Sequence, residues 1–263
     1  MEYGKYDIER IVSKSRSTEN SGLAFDKGAV WAIEQLLLAK HHMTEQVYFH
    51  RVRLISDEMI VRGIKIGARE DSKIESMFKY REEDEFLTLW KNLDDRALSR
   101  KILNCKSDKA KKIYKRLKNR NLLKRVVNIN ISNIRDISKK DALSKLDEES
   151  KKEAEKAIAN KINSNNFFEK EIKDWEVIIN KRKLGEVPMS RNKFRIDTDT
   201  ILIKDEDGHI NKYSERPETT NFSPNKNTFL HVYMPIPIEE RPERESLIQD
   251  MNEVTQKAIF EII

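Results

Sequence analysis

His41, His42, Glu45 and His50 stand in the run LLLAKHHMTEQVYFHRVRLISDEM, Leu36 to Met59, and have the chemistry of metal ligands. His41 and Glu45 are four residues apart, a spacing that brings two ligands onto one helix face, as in zinc-binding helices. The pattern His-His-Met-Thr-Glu is not His-Glu-x-x-His, and nothing elsewhere in the sequence clearly completes a three-ligand set. His42 and His50 would sit two turns apart, about 12 Å along a helix axis. Helix packing with polar edges accounts for this stretch better than a metal site, so no metal ligand and no catalytic residue is assigned in this chain.

A second group of side chains could hold a polyanion. Arg10, Lys40, His50, Arg51, Arg120 and Lys124 are cations or near-cations, and Tyr48 could touch a sugar or base. Arginine offers a planar fork to phosphate and lysine a point charge, so several such groups must converge on a nucleoside triphosphate. Solvated helix faces are the plainer account of the same residues. Between Lys101 and Arg125 there are eleven Lys or Arg and one acid, Asp108. The spacing of Ile113, Leu117 and Leu122 predicts a helix there with a positive solvent face.

Leu23 to Gly63 carries Val30, Ile33, Leu37, Val47, Leu54 and Ile55 with no proline, and Phe86, Leu87 and Trp90 mark a further stripe, so the first 140 residues are predicted helical nearly throughout. The charge-dense run ISKKDALSKLDEESKKEAEKAIANKI predicts an exposed helix turning Leu143, Leu146, Ala154 and Ile158 inward. WEVIIN, RIDTDTILIKDEDGHINKY and FLHVYMPIPI are then β-branched runs, with Asp205 to His209 as a hairpin turn in which Gly208 takes positive φ. That turn lacks the later glutamate of a calcium loop. The last helix carries Leu247, Met251, Val254 and Ile259 on one side. The fold class is therefore α+β: a mainly helical N-terminal half, residues 1–140, followed by a small α+β unit with antiparallel strands, residues 141–263.

Composition excludes several function classes. The single cysteine, Cys105, rules out an internal disulfide framework and reads as a small buried residue. With seven glycines there is no dinucleotide fingerprint, no phosphate-cradling Gly-x-x-x-x-Gly-Lys and no Gly-x-Ser-x-Gly elbow. No apolar run approaches a membrane span, and the first residues have no signal-peptide character, so a soluble cytoplasmic protein is expected. The excess of 51 Lys plus Arg over 45 Asp plus Glu is mild, and its distribution matters more than its sum.

Three motifs carry a resemblance. EYGKYDIERI at Glu2 to Ile11, LLLAKHHMTEQVYFHRVR and KNRNLLKRV resemble the region after the last metal-ligand aspartate in HD-domain phosphohydrolases of the dNTP triphosphohydrolase type. That family has a Tyr-Gly-x-Tyr/Phe-Asp-x-x-Arg segment, a Met-x-x-x-Val-Tyr-x-His helix, an Arg-x-Leu-x-Lys element and a tail hairpin like Asp207-Gly208. The resemblance covers nearly the whole chain. It implies that Tyr48 packs on a substrate sugar, that Lys40 stands where a substrate-meeting arginine often stands, and that Arg10, His50, Arg51, Arg120 and Lys124 line regulatory nucleotide sites between subunits. The family's metal-binding histidines and aspartates lie upstream of the first motif, and this sequence has no His-Asp dipeptide. The implied chain is the C-terminal portion of such an enzyme without its metal centre. It would bind no cofactor alone and would gain a divalent metal only within a complete HD site. Its partners would be an HD-bearing polypeptide or further copies of itself, with nucleotides as ligands. The alternative is a non-catalytic regulatory or assembly subunit that binds nucleotide or nucleic acid through Lys101 to Arg125.

Overall fold

The computed structural model describes residues 5–18, 22–183, 201–213, 228–237 and 241–262. Contacts group the chain into two compact units that are discontinuous in sequence, Met1–His50 with Lys183–Asn227, and Arg51–Arg182 with Thr228–Ile263. A division at residue 140 falls inside a helix of the second unit, Ile137–Lys145.

The first unit contains helix α1 (Ile8–Ser13), strands β1 (Ser15–Thr18) and β2 (Gly22–Asp26), and helix α2 (Val30–Met43). Asp7 caps α1 by accepting the Arg10 backbone N–H at 2.9 Å. β1 and β2 pair antiparallel, and β2 runs parallel to β5 (Leu202–Lys204), which pairs antiparallel with β6 (Ile210–Lys212). Ala29, Val30, Ile33 and Ile203 form the small core under this sheet. The expected hairpin is present: Gly208 has φ +84°, and its N–H donates to the Asp205 carbonyl. The remainder of RIDTDTILIKDEDGHINKY, residues 195–200, lies outside the described residues.

Two expectations for the first half are corrected here. β1 and β2 occupy a region read as helical; SRST has too little apolar character to declare a strand, and it is held by pairing with β2. The long helix of Leu23 to Gly63 is broken: α2 passes into a π-helical turn at Thr44–Tyr48, and the next helix restarts at Arg51. Phe49 donates its N–H to the Thr44 carbonyl, the wider spacing that ends the regular ladder.

The second unit is layered. Helices α3 (Arg51–Glu70), α4 (Ser72–Phe78), α5 (Asp84–Lys91), α6 (Asp95–Leu103) and α7 (Asp108–Lys118) precede strand β3 (Lys124–Asn130). α8 (Ile137–Lys145), α9 (Glu148–Ser164), β4 (Ile178–Lys183), β7 (Thr228–Met234) and α10 (Arg241–Ile262) complete it. Side chains of Asp71, Asp94, Ser107, Asp136 and Asp147 accept backbone N–H groups at the starts of α4, α6, α7, α8 and α9. Each such cap contributes about 1 kcal/mol, which is how short, charged helices keep sharp starts. Lys101 to Arg125, read as one helix, is three elements because Ser107 starts a new helix and Arg120 ends it.

The strand order β3-β7-β4 puts β7 in the middle of a sheet with different faces. Leu230, Val232, Met234 and Ile179 meet Met251, Ile259, Ala154 and Ile158 in one core, as the inward residues of α9 and α10 predicted. A bulge between Arg125 and Val127 places Val126 and Val127 in that same core. On the other face, Ile178 and Tyr233 join Ile55, Met59, Ile102 and Ile113 from α3, α6 and α7. α3 and α7 approach closely at Gly63, where an added Cβ would lie 2.5 Å from the Tyr114 ring. A buried ion pair between Arg62 of α3 and Glu155 of α9 ties the layers together, and Glu155 also accepts the Ile179 N–H at 3.0 Å. Cys105 is buried, as expected of a small core residue. Among the described residues, no helix is long and apolar enough to cross a membrane.

Candidate functional site

The structure places Lys124 at the first position of β3, half-buried at the end of the sheet. Two arginines approach it: Arg51, the first residue of α3, and Arg244, in the first turn of α10. Desolvation, then the positive charges of Arg244 and Arg51, push the Lys124 ammonium below the ordinary lysine range. Among the described residues no carboxylate forms an ion pair with Lys124 or Arg51. Each of these three positive charges raises the cost of the other two, and an anion placed among them would lower it.

Of the residues singled out in the sequence, Arg51 and Lys124 are thus brought together. Arg120, grouped with them, has another task. It takes φ +55° just beyond α7, with its N–H on the Leu117 carbonyl and the Asn121 N–H on the Arg116 carbonyl, the paired bonds of a helix-ending Schellman turn. Its side chain is exposed.

Arg10, Lys40, Tyr48 and His50 belong to the first unit. Arg10 Nε donates to the Gly28 carbonyl at 2.7 Å, tying α1 to the turn before α2. Lys40 is half-buried on α2, and its carbonyl accepts the Thr44 hydroxyl at 2.8 Å where the helix widens into the π turn. Tyr48 closes that turn and is 50% exposed. His50 follows it, exposed, with its N–H on the Val47 carbonyl. His42 is exposed, and the side chains of His41 and Glu45 lie outside the described residues. No group of three or more His, Cys, Asp or Glu among the described residues could hold a metal.

The basic face expected between Lys101 and Arg125 is partly neutralised by the fold itself. On α7, Lys109 pairs with Glu70, Lys111 with Asp108, and Lys112 and Arg116 with the buried Glu176 at 3.2 and 3.8 Å. Lys112 also lies 5.0 Å from the centre of the Trp175 ring. Four of the run's eleven cations are thus answered within the fold. Arg244 escaped the sequence reading because it lies far from Lys124 along the chain, in a charged segment whose only marks are Pro242 and its acidic neighbours.

Residues 6–245 match the family described as HD associated region. A search of curated proteins gives no match. Among solved structures, the chain is similar to a phosphohydrolase from Bacteroides thetaiotaomicron, with a TM-score of 0.58 and 18% identity over 88% of this chain and 56% of that one. It is also similar to a hypothetical protein from Aquifex aeolicus, with a TM-score of 0.55 and 18% identity over 96% of this chain and 52% of that one. At this identity the likeness shows the fold alone, and the chain spans about half the length of these structures. Since the family match runs over most of the sequence, from α1 into α10, the chain belongs to the HD associated region family.

Proposed function

We propose that this chain is the non-metal part of an HD-superfamily phosphohydrolase acting on nucleotides of the dNTP type, and that it works with a metal-bearing HD half supplied by another chain. The observation that carries this reading is the convergence of Arg51, Lys124 and Arg244 with no ion-paired carboxylate on Lys124 or Arg51 among the described residues. A nucleoside triphosphate brings the compensating charge, with guanidinium forks on its oxygens and the lysine as a point charge. In this reading Arg10, His50, Arg51, Arg120 and Lys124 line regulatory nucleotide sites between subunits. Lys40 and Tyr48 are the substrate-side residues, the tyrosine packing on the sugar and the lysine meeting the phosphates. In this reading the metal and the water it activates come with the HD half. This chain's residues bind and orient the nucleotide.

The test is equilibrium binding of a dNTP to the full chain. Lys124→Gln should weaken binding by about tenfold or more, the loss of roughly one charge-assisted contact. Lys115→Gln, an exposed α7 change, should leave it unaltered. Equal binding by wild type and Lys124→Gln would overturn the reading. Loss of binding to single-stranded DNA on Lys115→Gln, with dNTP binding absent throughout, would favour the nucleic-acid alternative.

A further inference from the structure

A cavity of about 660 Å³ opens within the second unit, lined from α7, from the turn after α9 and from the segment that leaves β7. Its volume lies in the range of small-molecule sites. Phe167, Phe168 and Ile172 of the turn, with Pro235, Ile236 and Pro237 beyond β7, supply its apolar lining. The backbone holds that lining in place. Asn166 takes φ +53° just past α9 and turns the chain into Phe167 and Phe168, which pack against the core while staying only half-buried. Asn163 of α9 pins the far end of the turn, its side chain donating to the Ile172 carbonyl and accepting the Ile172 N–H, both at 2.9 Å. Proline fixes φ at about −65°, so Pro235 and Pro237 stiffen the segment beyond β7. A lining set in advance leaves a ligand little ordering entropy to overcome.

Lys112 and Arg116, one turn apart on a single face of α7, line the same cavity, as does the buried Glu176. Glu176 holds Lys112 at 3.2 Å but reaches Arg116 only at 3.8 Å, too far for a hydrogen bond. The Arg116 side chain is 23% exposed and makes no side-chain hydrogen bond among the described residues. A guanidinium carries five N–H donors in a planar fork, and groups so far withdrawn from water are as a rule hydrogen-bonded. The charge of the lining decides which anion suits this fork. Lys112, Arg116 and Lys170 stand against Glu169, Glu171 and Glu176, with no net charge. A polyphosphate would meet as many carboxylates as cations, whereas a monoanion needs only the one fork.

We propose that this cavity binds a small aromatic carboxylate, its ring against Phe167 and Phe168 and its carboxylate on the Arg116 fork. Ring against ring gives offset or edge-on stacking, and the two carboxylate oxygens match two parallel N–H groups of the guanidinium. Lys112 stays with Glu176 and with the Trp175 ring, 5.0 Å away, and keeps the buried carboxylate neutralised while Arg116 turns to the ligand. The site uses none of Arg51, Lys124 and Arg244 and does not depend on the function assigned to them.

Calorimetric titration of the full chain with naphthoate provides the test. Saturable binding is expected. Naphthylmethanol, which has the ring without the charge, should bind about tenfold more weakly, and naphthyl phosphate should bind no more tightly than naphthoate. Arg116→Gln and Phe168→Ala should each weaken naphthoate binding by about tenfold. Arg116→Lys, which keeps the charge without the fork, should lie between wild type and Arg116→Gln. Lys124→Gln should leave naphthoate binding intact, which separates this site from the nucleotide reading. Circular dichroism checks that each variant is folded, and Arg116→Lys decides the matter if Arg116→Gln is not. Absence of saturable binding, tighter binding of naphthyl phosphate than of naphthoate, or binding by the Arg116 variants as tight as wild type would overturn the proposal.

Discussion

His231 should make the stability of the second unit depend on pH in a way that one substitution removes. Burial, then the nearby charges of Arg125 and Arg182, push its imidazole down from the ordinary 6.5 to about 4. Above pH 7 the ring is neutral whether the chain is folded or not, and it contributes no pH dependence. As pH falls below 6.5 the unfolded chain takes up the proton first and the folded chain does not until about pH 4, so the native state loses stability across that window. At pH 5.0 the loss from this residue comes to about 2 kcal/mol, approaching about 3 kcal/mol near pH 4. The assay is urea denaturation of wild type and His231→Asn at pH 7.5, 6.0 and 5.0, buffer values chosen to bracket the ordinary histidine pKa of about 6.5. Carboxylates titrate in both proteins and cancel in the difference. Wild type should lose about 2 kcal/mol relative to His231→Asn between the highest and lowest pH. A constant difference across the three would refute the buried, neutral imidazole.

Three further outcomes follow from the packing. Glu155→Ala leaves the half-buried Arg62 guanidinium without its carboxylate and strips the Ile179 N–H of its acceptor, so chemical denaturation should show a loss of about 3–5 kcal/mol. Gly63→Ala places a methyl group against the Tyr114 ring, 2.5 Å from a ring carbon, and should cost about 1–3 kcal/mol by thermal or urea unfolding as α3 and α7 are pushed apart. Arg120→Gly relieves a left-handed residue of about 1 kcal/mol of strain and should leave the unfolding midpoint unchanged or raised, with the helical circular dichroism intact.

Much of this fold is legible in the sequence where one face is consistently apolar. FLHVYMPIPI becomes β7 because Leu230, Val232 and Met234 alternate into one core, and α10 forms with Met251 and Ile259 buried, as its spacing requires. The break after Tyr48 is not legible: no glycine or proline marks it, and it depends on a π turn whose hydrogen bonds involve Thr44 and Phe49. β1 is equally hidden, since a four-residue strand of polar side chains exists only through its pairing with β2. The site divides in the same way. Lys124 and Arg51 could be singled out as cations near recognisable motifs, but Arg244 comes from a helix that tertiary packing alone brings to β3. Three of the eleven cations in the Lys101 to Arg125 run are answered by Glu70 and Glu176, which lie outside it in sequence.

If this chain contributes nucleotide-binding residues to a phosphohydrolase whose metal centre is on another polypeptide, as we propose, the two should be isolated together. Native mass spectrometry of the protein isolated from its own source, without overexpression, tests it most directly. The expected result is a stable assembly of this chain with a second polypeptide that bears a His-Asp motif and a bound metal. A metal-free species composed of this chain alone would contradict it.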